Sequence, residues 1–396
     1  MEKDAPVRLG VIGAGDIFKT IKPALDAIGT ERARIDWIAD IKRKEDLPAN
    51  LFNRSDNFIY HQIKGDHLQS LPSDVDAVLD LTPHEFHASN LQFILSNGKA
   101  AFVEKPFAVN REGIANTAEV LSKYPNQLAY FAVYYRDEKG LVVRTLLPDD
   151  NSQKIRQGDW HSQFLTPVLA PVLPKVLDSI GDLRYIVGTC LEGPIYGSIV
   201  GREWLGDKEN GGMALDLGDH VFSFVNLLKD RIGTMTIENA VAGVSKEAFE
   251  HYTKFTGKTS MAEMYAEVSM RGGSGFPMRF AMGKYTGVDE WVFHIQGEQG
   301  YVHVNLDSKS LTTTIDSSVF KGDIKVNSKP KYTLIMSDFL RRAKDPLLQH
   351  QYGFENCKET LEMVLDIKDR FNQAPRFEFE TGQLPGMDDI RRMYRQ

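Results

Sequence analysis

Cysteine is nearly absent. Cys190 and Cys357 are the only two in 396 residues, which excludes a disulfide framework and a cysteine-based zinc site and fits a reducing cytosol. No run of eighteen apolar residues occurs, so no membrane-spanning helix and no membrane partner are expected. The opening MEKDAPVRLGVIGAG has no apolar stretch ahead of its first strand signal, so a cytoplasmic location is expected rather than secretion. Positive charge is not in excess. A net charge of −7 and a pI near 5.9 remove the electrostatic reason to expect nucleic acid or an anionic surface as partner. The histidines form no H-x-x-x-H or H-E-x-x-H pair, so no metal site is expected.

What is present is ordinary globular material, 42% hydrophobic and 26% charged, in a chain long enough for two domains. The first 135 residues alternate strand and helix. VRLGVIGAG is a continuous apolar run suited to a strand buried on both faces. DIFKTIKPALDAIG follows with helical spacing and stops at Gly29. ARIDWIAD predicts a second strand ending at Asp40, VDAVLDLT a third, and HASNLQFILSNG a helix closed by Gly98. AAFVEKPF and LAYFAVYY complete a pattern that calls for a doubly wound parallel sheet.

Between the first strand and helix stands Gly13-Ala14-Gly15. Such a turn lets backbone N–H groups at a helix start approach a pyrophosphate, with Asp16 and Ile17 opening the helix. Asp40 stands at the end of the second strand, where a carboxylate can accept hydrogen bonds from a ribose diol and repel a 2′-phosphate. NAD is therefore preferred over NADP, although Lys42, Arg43 and Lys44 follow closely. Two more strand-end loops complete the candidate cofactor contacts: LTPHEFH with Thr82, Pro83 and His87, and EKPF with Glu104 and Lys105. A lysine directly after an apolar strand is unlike a solvated face. Lys105 is either ion-paired to a nearby acid or a cation fixed beside the reacting hydroxyl, where it favours an alkoxide.

From residue 136 the pattern changes. DEKGLVVRTLL and LAPVLPKVLDSIG predict helices. They are followed by strand-like segments without regular intervening helices: DLRYIVGTCLEG, TMTIENAVAGVS, SMAEMYAEVSM, PMRFAMGKY, EWVFHIQGEQGYVHVNL and LTTTID. Their alternation predicts a large, mostly antiparallel sheet. YTLIMSDFLRRAKD and FENCKETLEMVLDIKDRF return to helical spacing. GGMALDLGDHVF predicts a helix from about Met213 that carries Asp216 and His220 one turn apart on one face. Neutral histidine suits proton removal from a hydroxyl near neutral pH, and a carboxylate can orient it; the alternative is a polar pair on an amphipathic helix.

Together these motifs resemble the glucose–fructose oxidoreductase, inositol dehydrogenase and rhizopine-catabolism (Gfo/Idh/MocA) family over nearly the whole chain. The matching pieces are RLGVIGAGDI, LTPHEFHASN, SNGKAAFVEKPFAVN, LDSIGDLRYI, GGMALDLGDHVF and DFLRRAKDP. The resemblance implies an NAD-binding Rossmann domain over residues 1–135 and a substrate-binding and oligomerisation α/β domain over 136–396. It also implies that a helix near 331–345 packs back toward the first. It implies hydride transfer between a nicotinamide cofactor and a secondary alcohol of a sugar, sugar derivative or cyclitol, in a homo-oligomer (dimer or tetramer). Lys105, Asp216 and His220 fall on the family's catalytic positions. Substrate contacts are expected from these three and from Arg136, Tyr196, Arg202 and Trp204. Two alternatives stay open: a redox-neutral sugar-processing enzyme with tightly bound NAD, and a non-enzymatic dinucleotide-binding regulator. The chain departs from the family at Phe18, where the fingerprint has a small residue, and at Ser223, where many members carry an acid. Its polar stretch from 148 to 176 is also longer than the family's usual connection.

Overall fold

The computed structural model describes residues 5–47, 57–64, 72, 74–133, 178–193, 199–200, 202–305, 310–317, 321–327, 332–348, 350–371, 373 and 376–384. The chain forms two compact units: residues 1–138, 154–167 and 329–358 in one, and 139–153, 168–328 and 359–396 in the other.

The first unit holds a six-stranded parallel sheet of β1 (Val7–Ile12), β2 (Ala33–Asp40), β3 (Ile59–Gln62), β4 (Ala77–Asp80), β5 (Ala100–Val103) and β6 (Ala129–Phe131). The strand order β3-β2-β1-β4-β5-β6 is that of a dinucleotide-binding doubly wound sheet. Val7, Leu9 and Val11 on one face of β1, and Gly10 and Ile12 on the other, are buried, as a strand covered on both faces requires. Helix α1 (Asp16–Ile28) follows β1, α2 (His87–Ser96) follows β4, and α3 (Arg111–Lys123) follows β5. Helix α3 escapes a reading by periodicity because its sequence, REGIANTAEVLSK, is mostly polar. Its start is fixed by Asn110, whose side chain accepts from the Gly113 N–H at 2.8 Å.

Helix α6 (Thr333–Lys344) also belongs to this unit and packs on α1 and β1. Phe339 meets the rings of Phe102 and Tyr130 edge-on at 5.4 and 5.8 Å. Asp338 is buried beside them, 2.7 Å from Arg341 and 2.8 Å from Arg342, and accepts from the Tyr130 hydroxyl. Burial opposes its ionisation, but the two guanidinium groups outweigh that and hold its carboxyl below the usual range.

The second unit is built on a nine-stranded sheet ordered β14-β13-β12-β11-β7-β10-β9-β8-β15. Its strands are β7 (Leu183–Glu192), β8 (Thr236–Ser245), β9 (Tyr265–Arg271), β10 (Pro277–Lys284), β11 (Glu290–Gly297), β12 (Gly300–Asn305), β13 (Ser310–Asp316), β14 (Lys321–Asn327) and β15 (Phe377–Phe379). All pairings are antiparallel except β7 with β10 and β8 with β15. One face is covered by helix α4 (Asp219–Val225), whose Phe222 and Phe224 lie 5.4 and 4.6 Å from Phe280 and Phe293. Gly188 leaves room for both sheet rings: a Cβ there would lie 2.8 Å from each. A helix not expected from the sequence, α5 (Lys246–Thr256), follows β8; Ser245 caps its start and Gly257, at φ 71°, ends it. Helix α7 spans Phe354–Phe371. The segments 139–153 and 168–177, including most of the helices expected around them, lie outside the described residues.

Candidate active site

In the first unit the turn after β1 is shaped by contact as much as by conformation. Gly13 has φ 90°, and a Cβ on it would lie 2.7 Å from the Leu81 carbonyl oxygen. Gly15 caps α1 without any side-chain hydrogen bond, and a Cβ there would meet nothing within 4 Å. A helix start with open space before it suits a pyrophosphate. Asp16 is exposed and neutralised by Lys19 at 2.6 Å, while Phe18 turns fully into the core. The substitution of a bulky residue at that fingerprint position is thus absorbed by packing.

Asp40 is buried at the end of β2, and its two oxygens accept from the Ala14 and Lys42 N–H groups at 2.7 and 2.8 Å. The carboxylate therefore ties the glycine turn to the second strand, and each oxygen retains a lone pair for a further donor. Burial, together with Asp40, Glu45 and Asp46, pushes the Tyr60 hydroxyl up to about 12. Arg43 is engaged by Asp46 through two bonds of 2.9 Å.

The next two loops are joined by His87. Its Nδ1 lies 3.1 Å from the Pro106 carbonyl and its Nε2 2.9 Å from the Thr82 carbonyl, with the ring 1% exposed. The imidazole is packed between the two loops, where a neutral ring donates to one of these carbonyls only. Thr82 donates to Asp80 at 2.7 Å, Asn90 reaches both of them at 3.0 Å, and Pro83 is exposed. Glu104 is buried and its carboxylate accepts from the Lys105 N–H at 3.0 Å. Lys105 itself is half-buried, with Pro106 following in cis.

In the second unit the motif GGMALDLGDHVF is not a plain α-helix. Ala214–Gly218 winds as a π-helix and passes into α4 at Asp219. Such π turns cluster at functional sites. The approach to it is tightly built. Gly212 has φ 98°, and a Cβ on Gly211 would lie 2.4 Å from the Trp204 carbonyl oxygen. Glu263 is 1% exposed; its carboxylate accepts from Ala214 N–H and its own carbonyl from Met213 N–H, both at 3.1 Å. An anion at the start of the helical segment is the favourable placement. Lys368 donates to the carbonyls of Glu209 and Gly211 at 3.3 and 3.0 Å, and its burial pushes the ammonium down from its usual range.

On this segment Asp216 is half-buried and lies 3.2 Å from the ammonium of Lys284, which also bonds Glu192. His220 is 8% exposed and meets the ring of the half-buried Trp291 edge-on at 5.8 Å. The unit thus brings together Asp216, His220, Lys284, Glu192 and Trp291. The last three were not expected from the sequence, although Lys284 ends an apolar strand just as Lys105 follows one.

Arg202 caps the short turn Glu203–Gly206, on which Trp204 is 43% exposed. Ser223, at the position where many relatives carry an acid, is buried 3.4 Å from the Thr360 hydroxyl. Arg136 and Tyr196 lie outside the described residues. Among the described residues no helix is long and apolar enough to cross a membrane.

Comparison with known proteins agrees with this architecture. Residues 7–131 match the Gfo/Idh/MocA family described as an oxidoreductase family with an NAD-binding Rossmann fold. The 1-carboxy-3-chloro-3,4-dihydroxycyclohexa-1,5-diene dehydrogenase of Comamonas testosteroni is 32% identical over 108 residues, a match spanning 27% of this chain and 25% of that protein. Among solved structures the chain is similar to KijD10, a 3-ketoreductase from Actinomadura kijaniata in complex with NADP and TDP-benzene (TM-score 0.68, 16% identity, 94% of this chain and 99% of that one). It is also similar to myo-inositol 2-dehydrogenase from Lactobacillus plantarum (TM-score 0.63, 15% identity, 93% and 98%). A third similar structure is levoglucosan dehydrogenase in complex with NADH (TM-score 0.65, 15% identity, 93% and 97%). At these identities the structural likeness establishes the fold. Residues 7–131 thus resemble the NAD-binding Rossmann domain of the glucose–fructose oxidoreductase, inositol dehydrogenase and rhizopine-catabolism family of oxidoreductases.

Proposed function

We propose that this protein is an NAD-dependent oxidoreductase acting on a secondary alcohol of a sugar, sugar derivative or cyclitol. Residues 1–135 are taken as its cofactor domain and 136–396 as its substrate and oligomerisation domain. The observation that carries the reading is the Asp216–His220 pair. It stands on a π-interrupted helix with an ionic partner, Lys284, and an aromatic neighbour, Trp291, in a chain that opens with a dinucleotide-binding domain. A bound NAD supplies the hydride acceptor.

In this reading His220 takes the proton of the reacting hydroxyl and Lys105 stabilises the developing alkoxide. Asp216 accepts a hydrogen bond from a neighbouring hydroxyl. Trp291 offers an apolar face to a ring, with Arg202 and Trp204 as further candidates for substrate recognition. NAD rather than NADP is supported by the buried Asp40 carboxylate, unfavourable to a 2′-phosphate. The pairing of Arg43 with Asp46 removes one cation that could have offset that charge. Among similar structures, one binds NADP and another NADH. A homo-oligomer, dimer or tetramer, completes the reading and is checked by light scattering after gel filtration.

The experiment is a panel of aldoses, uronic acids, deoxysugars and inositols, each with NAD and NADP, followed by NADH or NADPH absorbance. Substrate-dependent reduction of NAD is the expected result. Product without net NADH, from protein that retains its dinucleotide through gel filtration, would replace it with redox-neutral chemistry. Tight dinucleotide binding with no turnover of any kind would favour a regulator.

A further inference from the structure

We infer that Lys284 is a positioning residue that fixes the Asp216 carboxylate, with Glu192 as its second anchor. The inference rests on the reading of Asp216 as a substrate-facing group. Lys284 and Glu192 are the last residues of β10 and β7, and the parallel register of those strands sets them side by side. The Lys284 ammonium bonds Glu192 and lies 3.2 Å from Asp216 Oδ2. The lysine side chain is only 2% exposed, against 19% and 15% for the two carboxylates. One ammonium held beneath the surface therefore serves two acids that reach toward it.

The backbone around the lysine is held as firmly as the side chain. Its N–H donates to the Met264 carbonyl at 2.8 Å. The next residue, Tyr285, adopts φ 62°, a left-handed conformation that disfavours residues other than glycine. That strain is offset by local bonds: the Tyr285 hydroxyl oxygen accepts from the Ile199 N–H at 3.1 Å, and the Thr286 hydroxyl donates to the Val288 carbonyl at 2.8 Å. Strained residues over-determined in this way cluster at functional sites.

Stability alone is a poor reason for the arrangement. Replacing a buried ion cluster with apolar groups is often neutral or stabilising. What the cluster does supply is orientation. A carboxylate held by a buried cation cannot swing between rotamers, and displacement of a reacting partner by an ångström can lower a rate by about 100-fold.

The test compares wild type, Asp216→Asn, Lys284→Met and the double variant Glu192→Gln/Lys284→Met. The single lysine change leaves two carboxylates without their cation and lowers the melting temperature. The double variant restores the formal charge of the cluster to its wild-type value. The expected result is that it regains the melting temperature while kcat stays down by roughly 10-fold or more, approaching Asp216→Asn, with KM for NAD unchanged. Lys284→Gln made together with Glu192→Gln keeps a donor beside Asp216 without leaving two unpaired carboxylates, and recovers part of kcat.

Crystal structures give a readout that needs no substrate: in the double variant Asp216 leaves its wild-type rotamer. Wild-type kcat in the double variant, or Asp216 unmoved in its crystal structure, overturns the inference. If Asp216→Asn itself keeps wild-type kcat, the substrate-facing reading of Asp216 falls together with it. If Asp216→Asn is slow and the double variant is not, only the inference falls.

Discussion

The two domains hold their polar residues in different ways. In the Rossmann domain the anchors are backbone groups: Asp40 accepts two N–H groups, His87 sits between two carbonyls, and the Gly13 turn is closed by contact with Leu81. In the sheet domain the anchors are buried charges. Glu192, Asp216 and Lys284 form one cluster, while Glu263 and Lys368 hold the turn that precedes Asp216. A site tied to backbone depends on local conformation and survives most side-chain changes around it. A site assembled from buried ions depends on the presence of each partner, since removing one leaves another uncompensated.

The largest effect that separates the two modes is catalytic. Lys105→Ala removes a side chain whose backbone is held independently by Glu104, so the fold persists while kcat falls by roughly 10²–10⁴-fold, read from steady-state kinetics beside a melting curve.

Next comes a buried ion cluster of the first compact unit, on the helix that packs on α1, an exception to the contrast. Asp338→Asn leaves Arg341 and Arg342 without their acid and costs about 3 kcal/mol in denaturant unfolding. Because the folded carboxyl titrates below its ordinary 3.8, its contribution is complete above that value and disappears as pH falls below it. The Asn variant lacks that acid limb.

The sheet domain responds to acid earlier. His294 is stacked between Tyr185 and Tyr301, at 5.6 and 5.3 Å, with His303 at 5.6 Å. Burial, and secondarily His303, pushes the His294 imidazole down to about 4 from 6.5, with a small opposing effect from Gln296. The unfolded chain therefore binds the proton first, and stability is lost as pH falls from about 6.5 to about 4, by at most about 3 kcal/mol. Hydrogen exchange against pH, followed separately for β11 and β1, is expected to show β11 losing protection first. Equal loss in both strands over that window contradicts the assignment.

The smallest effect is local. Gly13→Ala forces a Cβ at φ 90° to within 2.7 Å of the Leu81 oxygen, a strain of about 1–2 kcal/mol before any clash. It is expected to weaken NAD binding by at least about 10-fold in calorimetry, while protection in the nine-stranded sheet is unchanged.

The same contrast explains what could be read in the sequence. The Rossmann half was legible because its signals are contiguous: an apolar run, then Gly13-Ala14-Gly15, and Asp40 closing the next strand. Helix α3 was not, since its buried side is reduced to Ile114, Thr117, Val120 and Leu121. In the sheet domain most strands showed by alternation, and α5 carried its own cap and stop in Ser245 and Gly257, which periodicity alone passes over.

The π segment has no local signature, and the carboxylate that accepts from its first N–H, that of Glu263, comes from another part of the chain. Lys284 shows the limit most plainly. The terminal lysine of PMRFAMGK gives the same signal that singled out Lys105, but its partners come from β7 and from the helix that carries Asp216, and no spacing rule connects them.

The most direct measurement of the central claim is NADH formation by wild type and His220→Ala on the best substrate of the polyol panel, with NAD affinity measured in parallel. Substrate-dependent NADH in the wild type, lost by roughly 10²-fold or more in His220→Ala at unchanged NAD affinity, is the result predicted. Equal rates in the two proteins would contradict it.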